Sequence, residues 1–213
     1  MPEPFPPLYA ILDPAIASRP LASLAESLAG AGVKLMQLRD KQSSARRVQE
    51  EVQHLLAVVA PQDVRLIVND RPDIAAIGGA GGVHVGQDDL PVEEARKICG
   101  LPKWVGVSTH NLDQLRDADR TSADYIAVGP IFPTGTKENP DPVVGVEFVR
   151  KARQLTRKPL VAIGGIRIES VADVFRAGAD SVAIIGDLNA APDPGARARE
   201  YLAIASEVRA GKR

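Results

Sequence analysis

The stretch LVAIGGIRIESVADVFRAGADSVAIIG, residues 160–186, decides the fold. It opens on a short apolar run, Leu160–Ile163, and then meets Gly164 and Gly165. Val171, Val174 and Phe175 follow at spacings of three and one, as one face of a helix requires, and Gly178 stops that helix. A second apolar run, Ser181–Ile185, is closed by Gly186. Runs this short and this rich in Val, Ile and Ala predict strands buried on both faces, as in a parallel sheet, so the stretch reads as strand, helix, strand.

The same unit recurs back to the N-terminus. Apolar runs stand at Leu8–Leu12, Val33–Leu38, Arg65–Val68, Gly82–Val85, Trp104–Val107 and Tyr125–Val128. Between them lie helical stripes: Leu21, Leu24, Ala25, Leu28 and Ala29, ended by Gly30 and Gly32, then Val48, Val52, Leu55, Leu56 and Val59, ended by Pro61. Weaker helices are expected at Ile74–Ile77, Val92–Ile98, Leu112–Arg120, Val146–Leu155 and Arg197–Glu207. Eight strand–helix units in 213 residues leave about 27 residues per unit, which predicts an α/β protein with a (β/α)8 TIM barrel. The doubly wound alternative needs a glycine-rich turn after the first strand, but Leu12 is followed by Asp13 and Pro14. No linker divides the chain, so residues 1–213 are expected to form one domain, with a tail over 1–7 and a frayed end over 209–213.

Composition narrows the function classes. Lys and Arg number 26 against 27 Asp and Glu, which leaves no basic footprint for nucleic acid or an anionic membrane. One cysteine, Cys99, excludes an internal disulfide framework, and a reducing cytoplasm is the expected setting. The N-terminus is proline-rich and lacks the basic start and apolar core of a signal peptide. The longest uncharged stretch is too short to span a bilayer, so no membrane partner is expected. The 18 glycines and 17 prolines fall at intervals, punctuating the strand–helix units.

In such a barrel the active site collects at the C-terminal strand ends. Gln37-Leu38-Arg39-Asp40-Lys41 follows the second strand, with Gln37, Arg39 and Lys41 on one parity, as an anion site or as ordinary surface charge. Asn69-Asp70 and Gln87-Asp88-Asp89 follow the third and fourth. The acids at these neighbouring strand ends can share one hard divalent cation, or they can cap the helices that follow, Asp70 the third and Asp88 or Asp89 the fourth. Ser108 and His110 end the fifth strand; His84 sits inside the fourth, as a core or a site histidine; His54 is expected on a helix surface. The long segment after the sixth strand carries Thr134-Gly135-Thr136-Lys137, which suits an oxyanion. Gly164, Gly165 and Gly186 stand where barrels bind phosphate through bare backbone.

Together these motifs, with Val83-His84-Val85-Gly86, Gly106-Val107-Ser108-Thr109-His110, Gly129-Pro130-Ile131-Phe132-Pro133 and Ala162-Ile163-Gly164-Gly165-Ile166, resemble the thiamine-phosphate synthase family over nearly the whole chain. The resemblance implies a Mg2+-dependent transferase that joins 4-amino-5-hydroxymethyl-2-methylpyrimidine diphosphate to hydroxyethylthiazole phosphate, releasing diphosphate. It implies that residues 37 to 41, Asn69, Ser108 and Lys137 hold the pyrimidine diphosphate, with Arg39, Lys41, Ser108 and Lys137 acting in catalysis. Asp70 and Asp89 would hold Mg2+. Thr134, Gly135, Thr136, Gly165, Ile185 and Gly186 would hold the thiazole phosphate, and Tyr9 and His84 would lie near the pyrimidine. Small-molecule substrates and a homodimer are implied as well.

The chain departs from the family pattern at Gly81, where Asp is usual, and at Gly186 and Asp187, where a serine and a small residue are commoner. Asp187 sets an acid beside the expected phosphate. Two rival readings share the fold: a thiazole tautomerase, in which His110 would shuttle the proton, and a non-catalytic thiazole-phosphate-binding regulator. Asp70, Asp89 and Lys137, all present, favour the synthase.

Overall fold

A computed structural model describes residues 4–135 and 141–211. Eight parallel strands close into a barrel in chain order. They are β1 (Leu8–Leu12), β2 (Leu35–Leu38), β3 (Arg65–Asn69), β4 (Gly82–Val85), β5 (Trp104–Thr109), β6 (Tyr125–Val128), β7 (Leu160–Ile163) and β8 (Ser181–Ile184). The helices are α1 (Leu21–Gly30), α2 (Ala45–Val59), α3 (Pro72–Gly78), α4 (Val92–Cys99), α5 (Leu112–Arg120), α6 (Gly145–Leu155), α7 (Ile168–Arg176), α8 (Gly186–Asn189) and α9 (Pro194–Ala210). The (β/α)8 expectation holds.

Two cores follow from the pleat. One set of side chains faces the helices: Leu8, Ala10 and Leu12 of β1, and Met36 and Leu38 of β2, pack against Leu24 and Leu28 of α1 and Val52 and Leu55 of α2. The alternate set fills the barrel: Tyr9, Ile11, Leu35, Ile67, Tyr125, Ala127, Val161 and Ala183. Each fully buried aliphatic side chain contributes about 1.5–3 kcal/mol, so both faces of every strand hold the closed sheet together.

The differences from expectation lie at element ends. Val33 was expected in β2, but its N–H closes the end of α1 on the Leu28 carbonyl at 3.1 Å, with Gly32 left-handed at φ +98°. That is a helix stop with a buried apolar residue after the glycine, and it delays the strand by two residues. Ile185 leaves β8 to begin α8, a turn that apolar periodicity does not announce. Asn189 ties α8 to the rim, donating to the carbonyls of Ile11 and Ile185, each at 2.7 Å, and accepting from the Asp13 N–H at 3.1 Å.

Residues 5–7 and helix α9 meet at the N-terminal end of the barrel. Helix α9 starts at Pro194 under an Asp193 cap, whose carboxylate accepts from the Ala196 N–H, and it runs to Ala210. Arg209 donates to the carbonyls of Phe5 and Asp180 at 3.2 and 2.6 Å. Phe5 stacks on Trp104 with ring centroids 5.3 Å apart, and the Pro7 carbonyl accepts from Val182. Residues 5–7 therefore plug the N-terminal end of the barrel, leaving the opposite end open. No helix among the described residues is long and apolar enough to cross a membrane.

Candidate active site

A cavity of about 970 Å3 opens at the C-terminal strand ends. Its walls include Tyr9, Gln37, Arg39, Lys41, Asn69, Asp70, His84, Asp89, Ser108, Thr134, Gly135, Gly165, Ile185 and Gly186, so these expected site residues share one space. Thr136 and Lys137 lie outside the described residues. Leu38 and Asp40 are absent from the walls. The pleat turns Leu38 into the helix-facing core, and Asp40 accepts from the N–H groups of Gln42 and Ser43 at 3.0 and 2.9 Å, shaping its own loop.

Strand ends β1 to β4 carry the charges. Arg39 is held by Asp13, a buried acid just beyond β1. Lys41 Nζ lies 3.1 Å from Asp70 Oδ2. Asp89 Oδ2 accepts from the Gly86 N–H at 2.7 Å. Neither acid caps a helix: Arg71 and Pro91 hold the N-cap positions of α3 and α4, and neither makes a side-chain cap. Asp70 is instead left-handed at φ +60°, its N–H donating to the His84 carbonyl at 2.8 Å. A residue with a side chain rarely adopts that conformation, and here it turns the carboxylate away from α3 and into the cavity. Burial raises the Asp89 carboxyl above its usual range, and the hydrogen-bonding Asp70 carboxyl adds to the rise, against the Gly86 N–H and Lys41.

Strands β1, β2, β4, β5 and β6 together carry a buried polar chain. Gln37 Nε2 donates to the Tyr9 hydroxyl at 2.7 Å, and Tyr9 and Tyr125 hydroxyls lie 2.9 Å apart. The Tyr125 hydroxyl is 3.1 Å from His84 Nδ1, and His84 Nε2 is 2.9 Å from Ser108 Oγ. Burial lowers the His84 pKa to about 4, against the pull of Asp89, so the ring is neutral at physiological pH. Burial likewise raises both tyrosines, which stay phenols. Sequence reasoning missed Tyr125. Its signal was parity: Tyr125 pairs in register with Gly106, and Gly106 with His84. A Cβ on Gly106 would lie 2.0 Å from Tyr125 Cζ, so the glycine makes the space that the ring crosses.

The β7 and β8 ends are bare backbone. Gly164 and Gly165 have φ of +99° and +62°, and a Cβ on Gly165 would stand 2.4 Å from the Pro133 carbonyl. Glycine alone lets this turn pack under the segment after β6. Asp187 lines the cavity with its carboxylate engaged by two neighbours: it accepts from the Tyr201 hydroxyl at 2.7 Å and lies 3.6 Å from Arg197. His110 contacts the Gly129 carbonyl through Nδ1 at 2.7 Å and lies 3.5 Å from Asp141 through Nε2. The cap of α5 is Asn111, and His54 is exposed on α2 as expected.

Cations, acids and bare-backbone turns around one cavity at the C-terminal end of a closed α/β barrel define an enzyme of the (β/α)8 class built for anionic substrates. The chain belongs to the thiamine monophosphate synthase family, whose model matches residues 8–188. It is 50% identical over 206 residues to a thiamine-phosphate synthase of Koribacter versatilis, covering 93% of this chain and 95% of that protein. Identity to a thiamine-phosphate synthase of Shouchella clausii is 41% over 190 residues, covering 89% and 91%. A solved thiamine phosphate pyrophosphorylase from Pyrococcus furiosus superposes with a TM-score of 0.87 at 30% identity, covering 95% of this chain and 96% of that one.

Proposed function

We propose that the chain carries out the reaction of its family, joining the pyrimidine diphosphate to the thiazole phosphate to give thiamine phosphate and diphosphate. One observation carries the reading: Arg39, Lys41, the Asp70–Asp89 pair and Ser108 meet in a single cavity with the phosphate-type turns of β7 and β8 opposite. The bond from the pyrimidine methylene carbon to the diphosphate oxygen breaks, and the thiazole nitrogen takes the carbon. Negative charge grows on the leaving oxygens, so the residues needed are donors and cations rather than a base or a covalent nucleophile.

Arg39, fixed by Asp13, and Lys41 supply cations, Ser108 a hydroxyl, and Asn69 an amide to the diphosphate. Lys137 is assigned to the same diphosphate on the family motif alone. Tyr9 and His84 flank the pyrimidine. Thr134, Gly135, Thr136, Gly165, Ile185 and Gly186 hold the thiazole phosphate, which orients its nitrogen and lowers the entropic cost of attack.

Asp70 and Asp89 fit Mg2+. They are hard oxygen donors close enough to hydrogen-bond each other, with Lys41 the cation beside them. Mg2+ commonly takes one or two carboxylates and completes its shell with water and substrate phosphate, a demand that this pair meets. When bound, Mg2+ supplies neutralising charge to the diphosphate. Cytoplasmic location and a homodimer belong to the same reading, supported by the family resemblance.

The test supplies both substrates with and without Mg2+ and measures thiamine phosphate. Product that requires Mg2+ supports the reading. Absence of product, with tautomerisation of a thiazole carboxylate phosphate in its place, overturns it.

A further inference from the structure

The chain Gln37–Tyr9–Tyr125–His84–Ser108 crosses the barrel interior, and its members can be counted as donors and acceptors. The Gln37 contact runs through Nε2, which only donates. Tyr9 therefore accepts at that end and has one proton to place, and the hydrogen-bond partner remaining to it is the Tyr125 hydroxyl. Tyr125, having accepted, gives its own proton to His84 Nδ1. The histidine proton is then on Nε2, where it faces Ser108 Oγ. Serine accepts it, and its own O–H is left to turn into the cavity that it lines.

The opposite sense fails at its far end. If Ser108 donated to His84, Nδ1–H would donate to Tyr125, Tyr125 to Tyr9, and the Tyr9 proton would face the N–H2 of Gln37. A charged His84 ring fails in the same way, because Nδ1–H again drives the chain towards Gln37. Either arrangement strands a hydroxyl proton in the barrel interior, where an unmet polar group costs about 1–3 kcal/mol.

We propose that Tyr125 is a positioning residue that acts through His84: it fixes the ring as its Nε2–H tautomer and so holds Ser108 as a hydrogen-bond donor to the substrate. Tyr125 does not line the cavity itself. Its ring stacks on that of His84, with centroids 5.5 Å apart and planes at 24°, across the space left by Gly106. The acceptor that Ser108 addresses is a diphosphate oxygen of the departing group, and this last step rests on the function proposed above. A serine whose proton were taken up by the histidine would present lone pairs to an anion and repel it.

Two measurements test the relay. The first is the nitrogen-15 spectrum of the His84 ring in the intact, substrate-free protein. The Nε2–H tautomer is expected, and an Nδ1–H or doubly protonated ring at neutral pH overturns the proposal. This result is independent of whether the chain makes thiamine phosphate, so it separates failure of the relay from failure of the functional reading.

The second is a double-mutant cycle on the single-turnover rate, with folding of each variant checked by circular dichroism. Tyr125→Phe is expected to slow the step about tenfold, the scale of one misdirected hydrogen bond, and to cost little once Ser108→Ala has removed the donor. Equal slowing in both backgrounds shows that Tyr125 does not act through Ser108 and overturns the proposal.

Discussion

Lys41 Nζ lies 3.1 Å from Asp70 Oδ2, joining the segment after β2 to the end of β3. An exposed pair of this kind contributes little to stability. Its value is positional, since it brings a cation beside the two carboxylates assigned to Mg2+. Asp70→Asn should therefore lower the single-turnover rate by about 10²–10³-fold, the scale for one preorganised charge contact, with little change in thermal midpoint. An unchanged rate at saturating substrate and Mg2+ would remove Asp70 from the role.

Asp89 provides a contrasting test. Burial and the neighbouring Asp70 hold its carboxyl pKa above the ordinary range. The folded state therefore binds that proton more tightly than the unfolded one, and stability is lost as pH rises through the interval between the two pKa values. At neutral pH without divalent cation, Asp89→Asn should melt at the same temperature as the parent or higher, because the amide removes the repulsion and can still accept from Gly86. The same variant should lose activity. Scanning calorimetry in a chelator and a turnover assay would check the pair of outcomes, and a clear fall in melting temperature would contradict the first.

His84 predicts an acid limb in stability. Burial holds its folded pKa at about 4, below the ordinary imidazole value. Below about pH 6.5 the unfolded ring takes a proton that the folded ring refuses, so stability falls as pH drops from there to about 4, by roughly 3 kcal/mol for this residue. Urea denaturation at pH 7 and pH 5 should show the loss. His84→Gln should flatten that part of the profile while lowering stability at pH 7.

Gly106→Ala tests the space beneath Tyr125. The added Cβ would meet the ring at 2.0 Å, with β4 and β6 fixed in register on either side. Destabilisation of about 1–3 kcal/mol or more is expected, and chemical denaturation measures it. Pairing the change with Tyr125→Ala should recover part of the loss, as two groups competing for one volume require.

Asp187→Asn addresses the departure from the family pattern. Tyr201 and Arg197 already engage this carboxylate, and Tyr201 is pushed above the ordinary phenol range first by burial and then by Asp187. The amide should free Arg197 for the substrate phosphate and lower the KM for the thiazole phosphate several-fold, leaving the KM for the pyrimidine diphosphate unchanged. Equal KM values for parent and variant across ionic strengths would show that Arg197 does not reach the phosphate.

The eight strands were legible because each is a short apolar run bounded by glycine, proline or charge, and seven of the eight start where the run starts. The errors sit where local hydrogen bonding overrides the apolar pattern. Val33 joins a helix stop, Ile185 turns into α8, and Arg209 stays in a helix because Phe5 and Asp180 give it acceptors. In the site, Gln37, Arg39 and Lys41 were readable from parity, Asp70 from its place after β3, and Asp89 rather than Asp88 only from the family resemblance.

Apolar periodicity and glycine spacing by themselves determined the barrel, because burial of each strand and helix face is a property of local sequence. They also determined which segments reach its open end. Only the tertiary structure decided what those side chains do there. Asp70 and Asp89 abandon helix capping because Asp70 is left-handed and Asp89 is taken by Gly86. Tyr125 joins His84 because Gly106, 19 residues from the one and 22 from the other, leaves the gap between them. The direction of a hydrogen bond is set by every partner in the chain, and the five residues from Gln37 to Ser108 come from five different strands or their ends.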